Sequence, residues 1–266
     1  MHRLLAAISI AVLCLAATEA PGQKVHAVIA ADSLDGQIGP GVQENVKNIT
    51  ALLTSLEIVG EIAVVKAEVS GRDFSCKSIL QAVDKMEIGP DDTVVFYYAG
   101  HGFRTRKSSK FPEFSCEPTS AKERIGLSAI KDRITKKKPR FVLAIADTCN
   151  VPEGPEVGPV PQFTPPPAPE RKAALRRLFL EYSGSLTMSG SVPGQYSWYR
   201  NRGETVGGFF TIQLLRVVNQ QIAEKGAKVA WEDITPGATN LIMVPTEPKK
   251  TGQQPQVEFV AKAKQP

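Results

Sequence analysis

Three stretches of the chain are apolar at nearly every position rather than at every second one: Val25–Ala31, Val94–Ala99 and Phe141–Ala146. A run without alternation is what a strand needs when both faces of its sheet are covered. Between these runs the spacing changes to that of helices. Val46, Ile49, Leu52 and Leu53 mark one over Gln43–Leu56, Ile79, Leu80 and Val83 one over Ser75–Met86, and Ile125–Lys136 reads the same way. Further on, Leu175, Leu178, Phe179 and Tyr182 predict a helix over Glu170–Tyr182, and Gly207-Gly208 opens another that runs to about Glu224. Glu61–Val69 reads as a second strand, Ser183–Ser191 as a strand with an exposed loop, and Val257–Val260 as a short last strand. Val229–Ile234 fits either a strand or a helix start, and Pro236 fits the first turn of a short helix capped by Thr235. Strands alternating with helices predict βαβ crossovers, hence an α/β fold with a mainly parallel sheet. No internal repeat is present.

The pattern breaks in three places. Asp32–Gly41 is a glycine-rich loop, and Phe103–Ser120 is a long surface loop or hairpin. Val151–Pro169 carries eight prolines with Gly154 and Gly158 and has no core-forming period, so a linker loop over 151–170 is expected inside one domain spanning 24–262.

With 42% hydrophobic residues, the 266-residue chain can build a substantial core. A net charge of +5 is too modest to point to nucleic acid, and the basic run Lys131–Arg140 fits a solvated helix end. The amino terminus changes the picture more. His2-Arg3 precede the apolar run Leu4–Ala17, and Thr18-Glu19-Ala20 supplies small residues for cleavage. That layout predicts a signal peptide over 1–20 and export to the periplasm or beyond. The run is shorter than the about 20 residues a membrane span needs, and Cys14 lacks a good lipobox, so no stable membrane anchor is expected. Past the leader remain Cys76, Cys116 and Cys149. An oxidising compartment permits a Cys76–Cys116 disulfide, and two buried free thiols are the alternative.

Two of the apolar strands end in reactive side chains, His101 and Cys149. Open α/β sheets place their chemistry beyond the carboxyl ends of such strands. If the two strands are parallel neighbours, the pair emerges on one edge as a nucleophile and its base. A thiol attacks an amide only as the thiolate, which an adjacent imidazole can generate near neutral pH. Taken singly, each residue reads as well as a buried hydrophobe or a satisfied core histidine. Past the leader the only other histidine is His26, inside the first apolar run, where a core or strand-end role fits better.

Tyr97-Tyr98-Ala99-Gly100-His101-Gly102 followed by Asp147-Thr148-Cys149-Asn150 resembles the His and Cys motifs of the caspase-like cysteine peptidases, in particular their bacterial and metacaspase branches. Ile29-Ala30-Ala31-Asp32 resembles the family's first strand and the acid after it. Gly207-Gly208-Phe209-Phe210-Thr211 and Gln253-Gln254-Pro255-Gln256 resemble later motifs, so the similarity runs from about Lys24 to Val260. The resemblance implies a three-layer αβα sandwich with about six strands and a cysteine endopeptidase acting on protein or peptide substrates through His101 and Cys149. It also implies an oxyanion hole from the backbone N–H groups of Gly102 and Cys149, and a pocket in which Asp32 and Asp147 hold an Arg or Lys side chain. Cleavage within the linker after the Cys is common in such proenzymes, and Arg171, Lys172, Arg176 and Arg177 lie just downstream. Asn150-Val151-Pro152 departs from the His-Ser-Gly that commonly follows the Cys in metacaspases. No acidic cluster with metal-ligand spacing appears, so no cofactor is expected and calcium activation has no support in the sequence. A caspase-like binding or scaffold domain without turnover, or thiol-dependent acyl transfer other than proteolysis, are the competing readings. The sequence assigns no third residue to orient His101 and leaves monomer or dimer open.

Overall fold

The computed structural model describes residues 22–116, 124–150, 168–201, 206–245 and 250–264. The expected leader and most of the proline-rich linker (151–167) lie outside them. In chain order the elements are β1 (Lys24–Ala31), α1 (Gly39–Ile58), β2 (Ala63–Ser70), α2 (Cys76–Lys85), β3 (Thr93–Ala99), β4 (Gly102–Phe103), β5 (Glu113–Ser115), β6 (Arg124–Gly126), α3 (Leu127–Thr135) and β7 (Phe141–Asp147). There follow α4 (Ala168–Leu180), β8 (Tyr182–Ser189), β9 (Tyr199–Arg200), β10 (Gly207–Gly208), α5 (Phe209–Lys225), α6 (Trp231–Ala238), β11 (Ile242–Pro245), β12 (Lys250–Gln253), β13 (Gln256–Phe259) and β14 (Lys262–Ala263).

The central sheet runs β13-β8-β7-β3-β1-β2, with β14 also pairing β8. The β2-β1-β3-β7-β8 pairs are parallel, while β13 and β14 run antiparallel to β8. The mainly parallel sheet expected from the pattern is therefore present. Every residue of β3 and β7 is buried, as their unalternating sequences require, whereas the edge strand β2 is largely exposed. Alternate residues of the inner strands feed two cores. Ile29, Tyr97 and Ile145 face the layer of α1, α4, α5 and α6, and Ala30, Tyr98 and Ala146 face α2 and α3.

Local differences from the sequence reading have local causes. Helix α1 starts at Gly39 because Pro40 sits in its first turn, where a missing N–H costs no intrahelical bond. Pro236 lies inside α6 rather than at its start; the helix begins at Trp231, and the Asp233 carboxylate accepts the Ala230 N–H at 3.0 Å. The Phe103–Ser120 loop contributes strand β5, which pairs with β4 and β6 in a small antiparallel sheet. Cys76, at the start of α2, is joined by a disulfide to Cys116, the residue after β5. His26 is buried in β1 with Nε2 3.0 Å from Asp92 Oδ2, the strand-end role expected for it. No helix among the described residues is long and apolar enough to cross a membrane.

Candidate active site

The site is built by register. Ala31 pairs with Ala99, and Ala99 pairs with Asp147, so β1, β3 and β7 end level with one another. Asp32 follows the first strand at once, and His101 and Cys149 each lie two residues beyond a paired position. The parallel-neighbour condition set by the sequence is met, and the two reactive residues leave the sheet from adjacent strands at the same height.

Close backbone packing holds them there. A Cβ on Gly102 would sit 2.1 Å from Thr148 Oγ1 and 2.8 Å from the Cys149 carbonyl oxygen, so only glycine lets these two backbones meet. Gly100 has φ near +156° and would clash with the Tyr98 hydroxyl at 2.6 Å if it carried a side chain. The Thr148 hydroxyl donates to the Gly100 carbonyl at 2.8 Å. Where the ladder between β3 and β7 opens, the Tyr199 hydroxyl bridges it, accepting from Gly100 N–H at 3.2 Å and donating to the Asp147 carbonyl. The His101 carbonyl is held from two sides, by the Tyr98 hydroxyl at 2.7 Å and the Ser115 N–H at 3.0 Å.

His101 is itself partly exposed, and its Nε2 lies 3.2 Å from Asp35 Oδ2. Cys149 is half-buried and is the free cysteine among the described residues. Its thiol donates to the Ser197 carbonyl at 3.4 Å. Burial, and after it the nearby Asp147 charge, push the thiol up to about 11. The thiolate is therefore scarce at neutral pH without a base, and attack on a carbonyl requires the proton to be taken as it happens.

The two acids paired in the sequence as a cation pocket have different surroundings. Asp147 is fully buried, and its carboxylate is enclosed by donors. Ser197 Oγ approaches Oδ1 at 2.7 Å, and Thr211 N, Thr211 Oγ1 and Asn45 Nδ2 approach Oδ2 at 3.0, 2.7 and 3.3 Å. It thus caps the first turn of α5, and Gly208 makes the room, since a Cβ there would lie 2.1 Å from Oδ2. Asp32, only 5% exposed, has no hydrogen-bond donor on its carboxylate among the described residues. Burial, with the Asp35 charge second and His101 opposing both, raises it to about 6. Of the two, Asp32 is the carboxylate without a donor among the described residues.

The remaining motif residues support this edge. Gln253 is buried, donates to the Gly190 carbonyl and Ser197 Oγ, and accepts from Trp198 N–H, so the glutamine motif fixes the loop whose Ser197 carbonyl meets the thiol. Trp198 and Tyr199 next to Ser197 are themselves packed, as a buried support for this edge. Asn150 donates to the carbonyls of Lys110 and Ser191. Arg171, Lys172, Arg176 and Arg177 fall within the helix expected over Glu170–Tyr182. They lie on α4, with Arg171 on Asn219, Lys172 on Glu61, Arg176 on the Gly60 carbonyl and Arg177 on the Val229 carbonyl. Asp35, Tyr98, Ser197 and Thr211 escaped the sequence reading of the site. The one signal available was the acid-rich spacing Asp32-x-x-Asp35 after a buried strand. Among the described residues no three His, Cys, Asp or Glu side chains converge as a metal site.

A search of curated proteins finds no match to the chain. The family model of the caspase domain, peptidase family C14, matches residues 39–262, which include His101, Cys149, the late Gly-Gly motif and the glutamine motif. A parallel sheet delivering a histidine and a cysteine to one edge, under that match, places the chain in the caspase-domain family of cysteine peptidases.

Proposed function

We propose that the chain is an exported cysteine endopeptidase that cuts after Arg or Lys, with His101 as base and Cys149 as nucleophile. The observation that supports this reading is the shared register of β3 and β7, which end level at Ala99 and Asp147, each two residues before a member of the pair. His101 takes the thiol proton, the thiolate attacks the scissile carbonyl, and the same imidazole protonates the departing amine. The backbone N–H groups of Gly102 and Cys149 serve the oxyanion, a role supported by the close approach that the missing Gly102 side chain allows.

Basic specificity rests on Asp32. A buried carboxylate with no donor among the described residues is costly until a cation reaches it, and an Arg or Lys side chain of a substrate supplies one. Asp147, already enclosed, acts behind it by holding Ser197 and α5 in place. Export is supported by the Cys76–Cys116 disulfide, which persists in oxidising compartments. The chemistry described needs no metal, so chelators should leave activity unchanged.

The test is release of a fluorophore from peptides ending in Arg, Lys or Asp, by the mature protein and its Cys149→Ala variant, with and without calcium. Cys149-dependent release after Arg or Lys is expected. Release after Asp alone would overturn the pocket, and no release from a folded protein would overturn the enzyme in favour of a binding domain.

A further inference from the structure

Neither the His motif nor the Cys motif contains the residue that touches His101 most directly. Asp35 lies in the loop between β1 and α1, three residues past Asp32. Its Oδ1 accepts the N–H groups of Gln37 and Ile38, each at 2.8 Å. That oxygen is committed to the turn, which leaves Oδ2 to face His101 Nε2 at 3.2 Å. Burial acts to raise the Asp35 carboxyl, but the amides of Ile38 and Gln37 and then His101 outweigh it and hold it below the ordinary range. Asp35 is therefore an anion, fixed by its own backbone, on one nitrogen of the ring. The charge of Asp32 also reaches His101, and the Tyr98 hydroxyl holds the His101 backbone by donating to its carbonyl.

An anion on Nε2 keeps the proton of a neutral imidazole on that nitrogen and leaves the lone pair on the other. We infer that Asp35 is a positioning residue that holds His101 in the Nε2–H tautomer, so that Nδ1 is the atom that takes the Cys149 proton. This rests on the dyad reading above. The proton passes from Sγ to Nδ1, giving thiolate and imidazolium, and the sulfur electron pair forms the S–C bond. As the C–N bond breaks, Nδ1 returns the proton to the leaving amine. Water, deprotonated by Nδ1, then cleaves the thioester and restores the thiol. Asp35 remains ionised throughout.

Two substitutions separate positioning from support of the fold. Asp35→Asn keeps an oxygen for the Gln37 and Ile38 amides but can offer an N–H to Nε2, which favours the wrong tautomer. Asp35→Ser keeps a short capping oxygen and leaves the ring without a partner. We expect Asp35→Asn to lower kcat by about 10²–10³-fold with KM nearly unchanged, and Asp35→Ser by only about tenfold, given the size of tautomer effects in other triads. A residue that only supported the turn would give the opposite order. The ¹⁵N–¹H spectrum of His101 in the unmodified protein, with the imidazole neutral, should show the proton on Nε2. A proton on Nδ1, or equal kcat for the native and Asn proteins, would overturn the inference. If the native protein cleaves no peptide, the dyad reading fails while the spectrum still decides the tautomer.

Discussion

Asp32→Asn separates what the fold gains from what the site needs. The folded carboxyl titrates near 6 against an ordinary value of 3.8, mainly through burial. A carboxyl raised by folding binds more protons in the native than in the unfolded state between those values. Its stability contribution is therefore fully present below pH 3.8 and is lost as pH rises through about 6. Two units at 1.36 kcal/mol each give roughly 3 kcal/mol for a fully enclosed group. The 5% of Asp32 that stays exposed lets solvent screen part of that, so about 1–2 kcal/mol is the better expectation. Asparagine carries no charge to desolvate. The variant should be more stable than the native protein by that amount at pH 8, roughly 3–6 °C in Tm, and no more stable near pH 4. Urea unfolding at the two pH values reads the difference directly. The same variant should lose at least about tenfold in kcat/KM on Arg and Lys substrates, as expected when a desolvated ion pair is removed, while Cys149 stays reactive to iodoacetamide. Destabilisation at pH 8, or equal losses on peptides ending in Arg and in a neutral residue, would refute the argument that Asp32 waits for a cation.

Three further outcomes test other parts of the structure. Joint substitution of Cys76 and Cys116 by serine opens a loop with a sequence separation of 40, and chemical denaturation should show a loss of about 3–4 kcal/mol on the chain-entropy estimate. Thr211→Val keeps the backbone donor to Asp147 but removes the hydroxyl that serves both that carboxylate and Tyr97; calorimetry should show a loss of about 2–3 kcal/mol, because the acceptor is a buried charge. Gly102→Ala places a carbon into Thr148 and the Cys149 carbonyl, so kcat/KM should fall at least about a hundredfold, in line with loss of an oxyanion donor, while far-ultraviolet dichroism stays unchanged.

The central frame was readable because burial on both faces leaves a local mark. The unbroken apolar runs of β1, β3 and β7, and the reactive residue just beyond two of them, need no knowledge of what packs against them. The small sheet was less legible: its middle strand, β5, has three residues and is made by its partners rather than by its own sequence. The polar support of the site was legible only as motif positions, Thr211 and Gln253 among them, without their partners. Asp147 is satisfied by Asn45, Ser197 and Thr211, residues 102, 50 and 64 positions away, and no local pattern announces such a meeting. Pairing Asp147 with Asp32 as equal holders of a cation followed from the family resemblance. Only the tertiary structure shows that one carboxylate is enclosed by donors and that the other has none among the described residues.

The connection between β7 and α4 has a consequence for how the molecule folds. Residues 151–167 contain no Lys or Arg, and the first basic residues after them are engaged on a helix. A peptidase confined to basic residues has no ready place to separate the half bearing Cys149 from the half bearing β8, α5 and the glutamine motif. If the basic specificity proposed above holds, the two halves stay one covalent chain, and for a monomer refolding is then a first-order process with an unfolding midpoint independent of protein concentration. A nicked protein would instead have to find its other half by collision.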